Sequence, residues 1–297
     1  MMTTDKSGQL DPQFAAFKKD MFMLSTGVAN AANRIGIAHP AWGPDITGPV
    51  NKILDPAVSN VARLPDELAR AIMQVAAAHP NQIGQLMHSE FTTPATVAPL
   101  ARTAIENIAL LLYINRDEDK PEEHTVRAAR AIRCGMNRDK VHTIKGLDEL
   151  YGGLNTVLQR YTKKHTIPEL KHDEVGYDKL VKQTLGELVG EGFYEVLCSY
   201  THHNAWRAYY QFLAVSTNPT DLELDSLLFA YRTSIAVAVG AKMLSQYRDA
   251  IETRELTDYL IDAVERMQAL GRRIDAFQDE LRERAEKLHF SPPHRGA

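Results

Sequence analysis

"TPATVAPLARTAIENIALLLYI", residues 93–114, is the stretch on which the fold turns. Leu100, Ala104, Ile108, Leu111 and Leu112 recur at intervals of three and four, which gathers them on one broad side of an α-helix. A strand would need alternation, and there is none here. Thr93 followed by Pro94 is a start signal, because proline has no N–H to lose in a first turn. Arg102 and Glu106 sit four apart on this helix, close enough to meet.

Working outward, the same spacing recurs almost everywhere, and no stretch shows sustained alternation. The chain therefore reads as an all-α helical bundle. Upstream, residues 1–10 are polar and read as a disordered terminus, and Asp11-Pro12 opens a helix to about Asn33. A loop containing HPAWGPDITGP follows, then short helices over 56–63, 66–79 and 81–90 separated by prolines. Residues 11–92 are read as a helical extension to a core bundle spanning 93–250.

Downstream, helices are expected over 122–136, 139–145, 147–165 and 168–189. VGEGF (189–193) has two glycines two residues apart and predicts a break, after which YEVLCSYTHHNAW (194–206) continues as helix to about Ala214. STNPTD marks a boundary before a helix over 221–250. The last, over 251–289, has a narrower pattern: Leu256, Leu260, Ala263, Met267, Leu270, Ile274, Phe277, Leu281 and Leu288 keep 4-3 spacing over more than four heptads. Such a seam suits a coiled-coil contact, either inside the chain or between two copies through residues 256–288. SPPHRGA, within 290–297, reads as a disordered tail.

Composition bounds the function. With 297 residues, 44% hydrophobic and 24% charged, the chain has ordinary globular composition. The opening residues lack an apolar run of signal-peptide length. Cys134 and Cys198 have neither CxxC nor finger spacing, so reduced thiols in a cytoplasm are expected. The longest apolar run, 226–244, contains Arg232 and Lys242 and reads as a buried helix, so no membrane association is expected. A net charge of −4 argues against a surface built wholly for nucleic acid. Between Arg127 and Lys164, however, nine arginines and lysines face three acids, and this tract suits RNA or another anionic ligand.

Metal and nucleotide signatures are missing from the sequence. A di-iron bundle needs carboxylates from several helices and two Glu-x-x-His elements, and one occurs, Glu169 to His172. There is no HExxH, no DDxxD and no GxxxxGK[ST], so no metal and no cofactor is expected. Cys198 and His202 lie four apart, but no third group is identified to orient a nucleophile. Arg-to-His spacings of the helical ribonuclease type occur at Arg34/His39, Arg160/His165, Arg282/His289 and Arg284/His289.

Together, "ARTAIENIALLLYI" (101–114), "RAARAIR" (127–133) and "YEVLCSYTH" (194–202) resemble a layout found in a group of uncharacterised bacterial, often actinobacterial, all-helical proteins. Those carry R-x-x-x-E on a core helix, then an arginine-rich helix, then Y-x-x-L-[S/C] followed by histidine. The matching positions are Arg102, Glu106, Arg130 or Arg133, Tyr194, Leu197, Cys198 and His202, within residues 95–215. That group is similar in architecture to the HEPN superfamily of nucleotide-binding and ribonuclease proteins. The resemblance implies a helical fold and, by that likeness, a role in defence or toxin–antitoxin systems. Residues and resemblance lead to the same expectation: a buried polar site of Arg102, Glu106, Arg130, Arg133, Tyr194, Cys198, His202 and His203 that binds an anionic or nucleotide-like ligand. The alternatives are a HEPN-like ribonuclease and a non-catalytic homodimeric interaction protein.

Overall fold

A computed structural model of the chain describes residues 12–38, 64–89, 92–116, 121–135, 147–164, 176–190, 192–202, 209, 213, 219–246 and 251–289. Among these residues there are nine helices and no strand. In chain order they are α1 (Pro12–Ala38), α2 (Leu64–Met87), α3 (Pro94–Ile114), α4 (Pro121–Gly135), α5 (Leu147–Lys164), α6 (Tyr177–Val189), α7 (Phe193–Thr201), α8 (Pro219–Gln246) and α9 (Ile251–His289). The expected helices over 56–63 and 139–145 lie outside the described residues.

Two helices organise the rest. α3 packs against α2, α4, α6, α7 and α8, while α8 packs against α1, α2, α3, α6 and α9. Both are long and apolar enough to cross a membrane, and half of the apolar window of α3 and two thirds of that of α8 lie inside the protein. Gly240 of α8 lies against α3, where an added Cβ would meet Ile108 Cδ1 at 2.8 Å and force that side chain to shift. α5 packs mainly on α4.

One apolar core runs through the bundle. Phe14, Met21 and Met73, from the segment expected to be an extension, share it with Ile105, Leu111, Ala236 and Ile274. α9 supplies its outer wall. Its heptad residues Leu260, Ala263, Met267, Leu270, Ile274 and Phe277 are all buried, and α9 packs on α1 and α8 of the same chain. Phe277 stacks on Phe14 and meets Phe17 edge-on, with ring centroids 6.4 and 5.6 Å away. Each such ring contributes about 1.5–3 kcal/mol by leaving water.

The short helices 66–79 and 81–90 are one helix, which corrects the sequence reading. Pro80 lies inside α2 and is buried. Proline in a helix interior costs about 3 kcal/mol. The apolar face of Ile72, Met73, Ala76, Ala77, Ile83 and Met87 continues across it without changing phase, and burial of that face offsets the cost.

A buried ion pair ties the first turn of this architecture together. Lys18 Nζ donates to Glu223 Oε1 at 3.0 Å and to the Ser89 carbonyl at 2.9 Å, with side chains only 8% and 5% exposed. The backbone N–H of Thr92 also reaches Glu223 Oε1, at 3.4 Å. One pair thereby joins α1, α8 and the α2–α3 connection.

Candidate functional site

The site begins with a backbone break. Gly190 has φ 88° and ψ 148°, and Gly192 has φ 76°, values that side-chain-bearing residues seldom adopt. The glycine pair ends α6 and starts α7 in a new direction, which turns Tyr194 towards α3.

Glu106 is the hub on α3. Its Oε1 accepts from Arg102 Nε at 2.7 Å and from the Tyr194 hydroxyl at 2.6 Å. Arg102 Nη1 donates to Thr201 Oγ1 at 2.8 Å and makes a 2.7 Å hydrogen bond to His202 Nε2. A guanidinium has only donors, so His202 Nε2 is the acceptor, and the hydrogen of the neutral ring is on Nδ1. The Arg102 guanidinium also lies over the Tyr194 ring, 5.9 Å from its centroid.

Two predicted features are corrected here. α7 ends at Thr201 rather than running on to about Ala214, and His202 is its C-cap, with φ −105° and ψ 74°. The Thr201 hydroxyl bonds back to the carbonyls of Leu197 and Cys198, and Arg102 grips Thr201 and His202 from across the bundle. His202 therefore lies past the end of the helix that was expected to carry it four residues after Cys198. Nor is the cluster fully buried: the Arg102 and Glu106 side chains are 23% and 21% exposed, and His202 is exposed.

Of the predicted site residues, Arg102, Glu106, Tyr194 and His202 come together, and Cys198 lies beside them. Burial pushes the Cys198 thiol up, against the pull of Arg102's charge, so it stays a neutral thiol at neutral pH. Burial also raises the Tyr194 phenol, and its hydrogen bond to Glu106 raises it further. Arg130 goes elsewhere. Its Nη1 is 3.4 Å from the Tyr113 hydroxyl, and Arg127 lies over the Tyr113 ring at 5.8 Å, seven residues along α3 from Glu106. Arg127 also pairs with Glu123 at 3.0 Å, and Arg127 and Arg130 are buried rather than part of an open basic face. Arg133, one turn further on α4, is half-buried.

His203, most of the basic tract beyond Arg133, and the side chains of Arg160 and His165 lie outside the described residues. Thr201 was missed by sequence reasoning. Its signal was position, since a threonine one residue before a histidine in a last turn can satisfy carbonyls and accept a donor at once. Among the described residues, no group of three or more His, Cys, Asp or Glu is placed to hold a metal ion.

Comparison with known proteins finds no matching family model, no matching curated protein and no matching solved structure.

Proposed function

We propose that the protein is a cytoplasmic ligand-binding helical bundle whose Arg102 cluster holds an anionic group, such as the phosphate of a nucleotide. The supporting observation is the way Arg102 is held. Nε and Nη1 are committed to Glu106, Thr201 and His202, whereas Nη2 has no hydrogen-bond partner among the described residues. The guanidinium plane is thus fixed before a ligand arrives, which lowers the ordering cost of binding. An incoming anion accepts from Nη2, a charged donor of the kind that binds phosphate and carboxylate well. Glu106 offsets the charge of Arg102, so the site favours a ligand that also engages neutral donors over a bare small ion.

The test is calorimetric titration with inorganic phosphate and with a nucleoside monophosphate. Arg102→Ala is expected to weaken nucleotide binding at least tenfold. His202→Ala is expected to lower affinity more than it lowers the melting temperature. A variant that loses thermal stability and keeps its affinity would overturn the reading and leave the cluster a structural clasp.

A further inference from the structure

The Arg102–Glu106 contact uses only part of each side chain. Arg102 spends Nε on Glu106 Oε1, and Nη1 on Thr201 and His202. Glu106 Oε1 takes a second hydrogen bond from the Tyr194 hydroxyl, at 2.6 Å. Arg102 Nη2 and Glu106 Oε2 make none among the described residues, and neither atom is shut away from solvent. The side chains that carry them are 23% and 21% exposed.

These two unspent atoms are neighbours by covalent structure. Nη2 shares Cζ with Nε, and Oε2 shares Cδ with Oε1, so both lie beside the same 2.7 Å hydrogen bond. One small molecule can therefore reach the two at once. Nη2 can only donate to it and Oε2 only accept from it. The charge of Glu106 is also felt outside the pair: after burial, it is what raises the phenol of Tyr177, an exposed residue at the start of α6. Asp178, next in sequence and 3.6 Å from Lys182, carries a further carboxylate whose charge reaches Cys198. A bare anion would meet Glu106 unfavourably, whereas an ammonium group beside the anion would be attracted to it.

Resting on the reading of Arg102 as an anion site, we propose that the ligand is a small zwitterion, with its anionic oxygen on Nη2 and an ammonium group donating to Glu106 Oε2. Each end then makes a charge-assisted hydrogen bond to a fixed group of opposite sign. The probes are two matched pairs titrated calorimetrically into the full chain: O-phosphoethanolamine with ethyl phosphate, and β-alanine with propionate. The members of each pair differ by the ammonium group alone. In at least one pair the ammonium compound should bind about tenfold more tightly, and that pair tells whether the anion is a phosphate or a carboxylate. In Glu106→Gln the amide oxygen has to take the Oε1 place, because Arg102 and Tyr194 both donate there, and the NH2 group replaces the acceptor. The preference should then fall to within about twofold. No preference in either wild-type pair, or an undiminished one in Glu106→Gln, would overturn the proposal. Ethyl phosphate or propionate that binds the wild type, fails with Arg102→Ala and is matched by its ammonium partner would leave the anion site standing alone. Absence of binding by all four compounds would sink the anion site as well.

Discussion

Lys18–Glu223 and Arg102–Glu106 are both acid–base pairs at core-facing positions of long helices, and they differ in how far the fold uses up their hydrogen-bonding capacity. Lys18 spends its ammonium on a carboxylate and a backbone carbonyl, and Glu223 takes a backbone N–H as well, with almost no solvent in reach. Arg102 is equally well held on one side and open on the other. A closed pair has nothing left to offer a ligand. An open one carries a fixed charge with an unspent donor, and that distinguishes a site from a fastening.

The contrast is sharpest in stability. Lys18→Ala leaves Glu223 buried with one long backbone hydrogen bond and is expected to cost about 3–5 kcal/mol in urea unfolding. Replacing both partners with apolar residues, Lys18→Met with Glu223→Leu, should recover most of that loss. A single variant costing less than about 1 kcal/mol would mean that the pair is not closed. Arg102→Ala, by comparison, removes a partly exposed pair whose acid stays in contact with water, and should cost about 1 kcal/mol.

The smallest effect expected is one of pH. The Tyr194 phenol titrates higher in the folded chain than its ordinary value of about 10, chiefly from burial and then from Glu106. In the alkaline window the folded state therefore keeps a proton that the unfolded chain gives up. The contribution is fully present below about pH 10 and is lost as pH rises through the folded value. Tyr194→Phe should flatten the alkaline fall in unfolding free energy relative to the wild type. Identical slopes above pH 10 would show that folding does not raise the Tyr194 phenol.

Much of the fold was legible because apolar phase carries it: the boundaries of α3, α4 and α5 lie within a residue or two of the spacing and start signals. Where the reading failed, tertiary packing had overruled a local rule. Pro80 argued for a break, but the apolar face on either side of it stays in phase, and this was visible in the same residues. The end of α7 was not visible, because it depends on Arg102, about a hundred residues away, gripping Thr201 and His202. Lys18 carried a usable signal, being in phase with Phe14, Met21 and Leu24 on a face where a lysine needs an acid. Which acid it meets is a property of the assembled bundle. Arg130 departs from the expectation for a similar reason, since Tyr113, on α3 with Glu106, offers the hydroxyl that Arg130 reaches.

The packing of Phe277 against Phe14 and Phe17 also sets a timetable for biosynthesis. Phe14 and Phe17 of α1 are made well before Phe277, and their cover arrives some 260 residues later. At ~5–20 residues per second, a nascent chain carries that sticky face uncovered for on the order of tens of seconds. Chaperones that shield emerging apolar surface have their natural client in this interval, and stop codons just upstream of residue 277 should yield aggregates rather than a shortened soluble product.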